Sequence, residues 1–186
     1  PIPDPLPTGN RIPDLSPLPT LGELGVPDEA SDPRSVVPFR GGASTGRQRI
    51  DHYFWKTRSL SNYKNTRNGL LGEDYSSKFS PWLAIGCLSP RRIYWEVMEY
   101  ERTVGANQST YWMVFELLWR DYFKYVSLKH GANLFRVGGI RRRSYEWSRD
   151  TDAFERWTQG RTGEPFVDAN MNELRCTGFM SNRGRQ

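Results

Sequence analysis

Ten of the 13 prolines fall within the first 40 residues, and that clustering decides where this chain can be regular. Each proline locks φ and removes a backbone donor, so a segment that spaces them this closely holds no regular helix. Residues 1–38, opening "PIPDPLPTGNRIPDLSPLPT", read instead as an extended connector, either a linker from an upstream domain or a tail. The first residue is Pro and the last is Gln186 in mid-pattern, so the chain reads as cut at both ends. Residues 39–186 are left to build a core, enough for one domain.

After "FRGGAST" the pattern changes to helix. From about residue 46 to 55, Ile50, Tyr53 and Phe54 recur at i, i+3 and i+4. The stretch "NYKNTRNGLLGEDYSSKFSPW" is rich in Asn, Gly and Ser and reads as a loop. A short helix follows, with Ser80 as N-cap and Pro81 at its first position. The next helix repeats that start with Ser89 and Pro90 and carries the apolar stripe Ile93, Val97, Tyr100 and Val104. A long helix over residues 109–129 stops at Gly131, and "RDTDAFERWTQG" and "VDANMNELRCTG" are two more helices that end on glycine. No alternating strand of useful length occurs, so the fold class is all-α.

The unusual part of the composition is aromatic: seven Trp, nine Tyr and nine Phe, which points to flat stacking surfaces as well as core. The formal net charge of +5 favours a polyanionic partner. Cys87 and Cys176 make no disulfide framework and read as buried free thiols, in keeping with a reducing, intracellular compartment. His52 and His130 are the only histidines, too few for a zinc site; they are taken as structural or surface residues, and no metal is expected. No run of about 18 apolar residues is present to span a membrane.

Within "STYWMVFELLWRDYFKYV", residues 109–126, helical spacing puts Trp112, Phe115, Trp119, Tyr122 and Val126 on one broad face. Glu116, Arg120 and Lys124 line its border as an i, i+4 ladder. Glu116 and Trp119, three apart, point the same way. A carboxylate beside an indole can stack a planar heterocycle and hydrogen-bond its edge, as an extruded base requires. An amphipathic helix with a surface ion pair accounts for the same spacing.

Ser76, Ser77 and Ser80 sit just before a helix start, where hydroxyls and open N–H groups can hold a phosphate; plain capping by Ser80 is the competing reading. No Gly-x4-Gly-Lys-[Ser/Thr] loop is present. Arginines cluster at Arg47/Arg49, Arg91/Arg92, Arg141, Arg142 and Arg143, and Arg183/Arg185, as phosphate contacts or as solvated faces. Hydrolytic chemistry is poorly supplied, with no Gly-x-Ser-x-Gly, no His-Glu-x-x-His and no His-based triad in view.

Three stretches, "YKNTRNGLLGEDYSSKFSPWLAIGCLSPR", "STYWMVFELLWRDYF" and "GRTGEPFVDANMNELRCTGFMSNRGRQ", resemble the FAD-binding domain of the photolyase/cryptochrome family. The wording "DYSSKFSPWLAIGCLSPR" and the terminal "NRGRQ", with Gln186 where most photolyases have Met, look like the cryptochrome DASH branch. The resemblance covers residues 39–186. It implies an all-helical flavin domain of photolyase type behind an α/β antenna domain, joined by a long linker that residues 1–38 would supply. By resemblance Tyr63, Ser76, Ser77, Lys78, Phe79 and Ser80 grip the FAD phosphates, and Trp112 lies against the cofactor. Asn182 sits between flavin and DNA, and Arg185 near the flavin. Glu116 and Trp119 read a flipped pyrimidine dimer, with Arg120 and Phe123 on the DNA-facing wall, Arg183 beside Asn182 between flavin and DNA, and Arg67 at a DNA phosphate. Trp147 matches the outermost member of a tryptophan chain that passes electrons to the flavin.

The implied activity is FAD-dependent, blue-light-driven splitting of cyclobutane pyrimidine dimers, in single-stranded UV-damaged DNA, by electron transfer from excited reduced flavin. A signalling blue-light receptor on the same domain is the alternative. The resemblance further implies a folate antenna (methenyltetrahydrofolate) in an upstream domain and a monomeric protein. The compartment would be the cytoplasm of a bacterium, or the chloroplast or mitochondrion of a eukaryote. The family's later flavin-contacting residues and two inner tryptophans lie beyond Gln186, so the domain reads as truncated at the C-terminus and inactive alone. Ala43 and Gly46 stand where relatives usually carry Glu and Ala, which weakens the first helix start, and Asn172 stands where relatives often have Arg. For this reading to hold, residues 76–80 and the Glu116–Trp119 face must open onto one hollow.

Overall fold

The computed structural model describes residues 17–27 and 32–185. The remainder of the 1–38 connector, residues 1–16 and 28–31, and Gln186 lie outside the described residues. Residues 17–27 and 32–38 form turns, bends and irregular backbone without a helix, as the proline spacing requires.

Among the described residues the structure is helical, with no strand. Helix α1 (Ala43–Ile50) runs on into a π-helical turn, Asp51–Lys56. It begins three residues before the apolar periodicity does. Gly46 is a packing residue: a Cβ there would lie 2.8 Å from Leu88 Cγ and 3.2 Å from Trp82 Cδ1. Its poor propensity is offset by the close approach of the segment that carries Trp82 and Leu88.

The segment read as a loop from residue 62 contains regular structure. A 3₁₀ turn, Ser59–Asn62, leads into the one-turn helix α2 (Tyr63–Thr66). Leu60 and Tyr63 are buried there, and that burial outweighs the polar composition. Helix α3 (Ser80–Ala84) starts one residue earlier than the serine suggested. Phe79 already has helical backbone angles, so Ser80 is the first helical residue and does not cap. Helix α4 (Pro90–Thr103) begins as expected, with the Ser89 hydroxyl accepting from Arg91 N at 3.2 Å. Ile93, Val97 and Tyr100 are buried, while Val104 caps the exposed end.

Helix α5 (Gln108–His130) owes its start to Asn107. The Asn107 side chain accepts from the N–H groups of Ser109 (2.7 Å) and Thr110 (3.1 Å) and donates to Ser61 O at 3.0 Å. Thr110 closes the capping box by accepting from Asn107 N and also donates to Glu101 at 2.5 Å. The first turns of α5 are buried at Ser109, Thr110 and Met113. Beyond Leu117 the helix emerges, with Leu118, Tyr122, Tyr125 and Leu128 exposed. The core therefore sits between α1, α3, α4 and the first half of α5, around Tyr53, Phe54, Phe79, Trp82, Ile93 and Tyr100.

Helix α6 (Thr151–Thr158), capped by Asp150, packs on α7 (Pro165–Thr177), which ends at the left-handed Gly178. Asn172 lies over Gly160, where a Cβ would come within 2.8 Å of its amide, and accepts from Arg175 at 3.1 Å. The cysteine expectation is corrected: Cys87 is only half-buried and Cys176 is exposed. Helix α7 turns Asn170 and Met171 inward instead.

One buried cation organises the segment between α2 and α3. Arg49, 5% exposed, donates to Glu73 O (3.0 Å), Ser76 O (3.3 Å) and Ser77 O (3.0 Å). It also pairs with the carboxylates of Glu73 (2.8 Å) and Asp74 (3.0 Å). His52, on the π-helical turn, adds a contact to Asp74 at 3.0 Å. Lys78 turns the chain with φ +54° and is itself buried. Its ammonium donates to Gly72 O (3.2 Å) and Glu73 O (2.6 Å) and lies 3.5 Å from the Tyr75 ring centre. Burial, helped by the nearby Arg49 charge, pulls the Lys78 ammonium down to about 8.

Two predictions follow from this packing. Asn107→Ala should destabilise the chain by about 1–2 kcal/mol in urea unfolding, whereas Asn107→Asp, which keeps the cap, should lose less. Between about 8 and the ordinary lysine value of 10.5, the unfolded chain holds a Lys78 proton that the folded chain has released. Stability should therefore rise with pH there, by about 1 kcal/mol from pH 7 to 9. Burial raises the Tyr63 phenol to about 12 and Tyr53 higher still, which opposes this only above pH 10. Lys78→Met should abolish the rise.

Candidate functional site

The loop, α2 and α5 meet around a hollow of about 330 Å³. Tyr63 from α2, Ser77 from the loop, Ser80 from α3, and Glu116 and Arg120 from α5 supply its polar wall. Phe79, Leu83 and Met113 form its apolar floor. Arg49 binds the loop carbonyls of Glu73, Ser76 and Ser77, and of these two serines only Ser77 lines the hollow. Among the described residues, no hydroxyl of Ser76, Ser77 or Ser80 has a hydrogen-bond partner in the protein. Ser77 and Ser80 thus offer free donors in the hollow. Donors of that kind suit phosphate oxygens.

Glu116 is not tied into the helical ladder that its spacing suggested. It pairs with Arg67, across from α2. Arg120 has only a loose contact with its neighbour Asp121, at 4.0 Å. The ladder fails because Arg67 sits in a half-buried position where a charge-assisted bond is stronger than a solvated i, i+4 pair. The Arg67 guanidinium also lies 5.1 Å from the Trp112 ring centre and 6.0 Å from that of Tyr63. Lys64 lies 5.8 Å from the Trp112 ring. The result is a cation-covered indole next to a carboxylate, at the mouth of the hollow.

The aromatic face predicted for α5 exists as a continuous series of ring contacts. Trp112 meets Phe115 (5.1 Å), Phe115 meets Trp119 (5.9 Å), and Trp119 meets Tyr122 edge-on (5.3 Å) and Phe123 in a stack (5.6 Å). Trp119 is 42% exposed, so one face of its indole is open to a ligand. It does not line the hollow itself but stands one helical turn beyond Glu116.

Other candidate residues lie elsewhere. Ser76 presents its carbonyl to Arg49, and the Lys78 ammonium is spent on loop carbonyls, so neither lines the hollow. Asn182, Arg183 and Arg185 are exposed on the turn after α7. That turn is fixed by buried Ser181, whose hydroxyl accepts from Gly184 N at 2.9 Å. It lies toward the Tyr75 and Lys78 side of the loop, where burial and the Glu173 carboxylate raise the Tyr75 phenol, Arg185 offsets part of that rise, and Phe179 stacks on Phe39 at 5.5 Å. Trp147 is exposed, edge-on to Tyr145 at 6.0 Å, and is not among the residues that line the hollow. Arg141, Arg142 and Arg143 are exposed on a turn.

Sequence reasoning missed the role of Arg49, which is buried in the loop rather than a phosphate contact or part of a solvated face, and the pairing of Arg67 with Glu116. Arg49 was detectable: it falls on the buried stripe of α1 with Gly46, Ile50 and Tyr53, and a charge there needs partners, which Glu73 and Asp74 supply. The Arg67–Glu116 pairing spans 49 positions, and no local pattern signals it.

Comparison with known proteins bears on this arrangement. Residues 112–186 match the family described as the FAD binding domain of DNA photolyase. Cryptochrome DASH of Natronomonas pharaonis is 55% identical over 99% of this chain and 39% of its own length. The chloroplastic/mitochondrial cryptochrome DASH of Arabidopsis thaliana is 54% identical over 94% of this chain and 30% of its own length. The crystal structure of a Synechocystis sp. PCC6803 cryptochrome superposes with a TM-score of 0.85 at 53% identity, covering 90% of this chain and 34% of that one. The chain thus spans about a third of the length of the relatives it matches. A helical unit that shares the flavin-domain match, the solved fold and more than half its residues with these proteins belongs to the photolyase/cryptochrome family, in its DASH branch.

Proposed function

We propose that the protein carrying this chain binds FAD and uses it to split cyclobutane pyrimidine dimers in single-stranded DNA under blue light. The observation that carries the reading is the shared hollow: free serine hydroxyls on one wall and the Glu116–Arg120 face of α5 on the other. Ser77 and Ser80, with Tyr63, fit the phosphates of a dinucleotide. Trp112 stands beside them as a flat wall, and Trp119 offers an open indole face to an extruded base. When bound, reduced FAD excited by light supplies the electron that opens the cyclobutane ring.

The chain's own residues bind and orient. Glu116 accepts hydrogen bonds from the edge of the flipped bases, and it must release Arg67 to do so. Arg67 then faces a DNA phosphate, and Arg120 and Phe123 continue the DNA wall. Asn182, Arg183 and Arg185 approach the cofactor and the strand from the far side of the loop. Trp147, exposed at the surface, is the entry point for electrons that keep the flavin reduced. A preference for single strands rests on cost: extruding a base from a single strand requires no unpairing, whereas extracting it from a duplex does. The whole protein holds a folate antenna in an upstream domain, acts as a monomer, and works in the cytoplasm or, in a eukaryote, in chloroplast or mitochondrion. Among the described residues no helix is long and apolar enough to cross a membrane.

The test uses the full-length protein with dimer-containing single-stranded DNA, blue light and reduced flavin, scored by dimer loss. Loss of dimers is expected; intact dimers with flavin present would leave blue-light signalling as the reading. Glu116→Ala should lower repair roughly ten-fold or more, the worth of a charge-assisted hydrogen bond, while flavin absorbance stays unchanged. Loss of flavin in that variant would place Glu116 on the cofactor rather than on the lesion.

A further inference from the structure

A second concavity flanks the first on the other side of α5. Between α4 and α5 lies a trough of about 470 Å³, which continues past the N-terminus of α4 into an opening of about 810 Å³. The two share Pro90, Arg91 and Trp95. Trp95 is 51% exposed and set edge-on to Tyr94 at 5.2 Å, and Tyr125 is exposed on the facing helix. An indole and two phenols left half in water give up hydrophobic stabilisation that a core position would provide.

The charges around these rings are lopsided. Arg92 is neutralised by Glu96 at 2.7 Å. Among the described residues, Arg47, Arg91 and Lys124 have no carboxylate partner, and Arg120 has only Asp121 at 4.0 Å. Unpaired cations alternating with open aromatic faces are what a single-stranded polyanion with stackable bases requires. Arg120 lines both the trough and the hollow that holds Glu116. Arg120 thus joins the hollow to the trough.

We propose that this trough is a track for undamaged single-stranded DNA, in which bases stack on Trp95 and Tyr125 and phosphates meet Arg91, Lys124 and Arg47. The proposal rests on the DNA reading above for its polymer, and not on lesion recognition. It makes Trp95 an affinity residue for any sequence, because every base has a stackable face.

The experiment is fluorescence anisotropy of the full-length protein with labelled, undamaged oligothymidylate across a salt series. Trp95→Ala should weaken binding about 5- to 20-fold, as the loss of base stacking does, and Trp95→Phe should recover most of that. Arg91→Ala with Lys124→Ala should flatten the log–log salt slope by about 1.4, two single-strand phosphates' worth. Binding by Trp95→Ala within two-fold of the parent, or equal displacement by an oligoglutamate peptide, would overturn the track. If Trp95→Ala loses its circular dichroism, Trp95→Phe and the salt slope of the double variant decide. Glu116→Ala separates the two readings: it should change only the ratio of damaged to undamaged affinity. An unchanged ratio counts against lesion reading and leaves the track standing.

Discussion

Everything in this site hangs on Arg49. A guanidinium is costly to remove from water, and it is retained in a packed interior only when nearly all its donors are used. Here five bonds to one short loop satisfy it. The loop in turn gains a fixed path that its own glycines and serines do not encode. The Ser76 and Ser77 carbonyls turn toward Arg49, and Ser77 also lines the hollow. Lys78 adds a second buried cation, which shares the Glu73 carbonyl with Arg49, at the cost of a left-handed backbone and of part of its charge. Two cations close together in a buried place are kept apart by Glu73 and Asp74, which makes the loop an electrostatic unit rather than a flexible connection.

Helix α5 has two lives. Its first turns are anchored by Asn107 and buried beside α2 and α4, so their positions are set to within a side chain. Its later turns carry Trp119, Tyr122, Phe123 and Tyr125 out of the core. A rigid rod fixed at one end is a good way to hold flat side chains in solvent without loss of orientation. The same rod separates two concavities, and Arg120 belongs to both. The Arg67–Glu116 pair closes the nearer one electrostatically, so a ligand must offer Glu116 something better than a guanidinium stacked on Trp112.

Much of the helical order was legible in the sequence. Ser89–Pro90, Gly131 and Gly178 mark real helix ends, because caps and stops act through nearest neighbours. The stripe Ile93, Val97 and Tyr100 is buried as its period requires. Local signals failed where two segments meet. Gly46 looked like a weak helix former and is a contact point for Leu88 and Trp82. Ser80 looked like a cap and is a helical residue with a free hydroxyl. Cys176 looked buried from its helical surroundings and is exposed, because α7 packs through its neighbours.

The sequence by itself determined the all-α class, the helix order, the aromatic face of α5 and, through its resemblance, the family. Those depend on periods of three to four residues and on short motifs. Only the tertiary structure decided that Glu116 answers to Arg67 rather than Arg120, that Arg49 is the centre of the loop, and that Ser77 and Ser80 rather than Ser76 and Lys78 line the hollow. Each of these is a choice among partners tens of residues apart. Burial, not spacing, makes that choice, since a charge or a hydroxyl taken from water goes to whichever partner shares its low-dielectric surroundings.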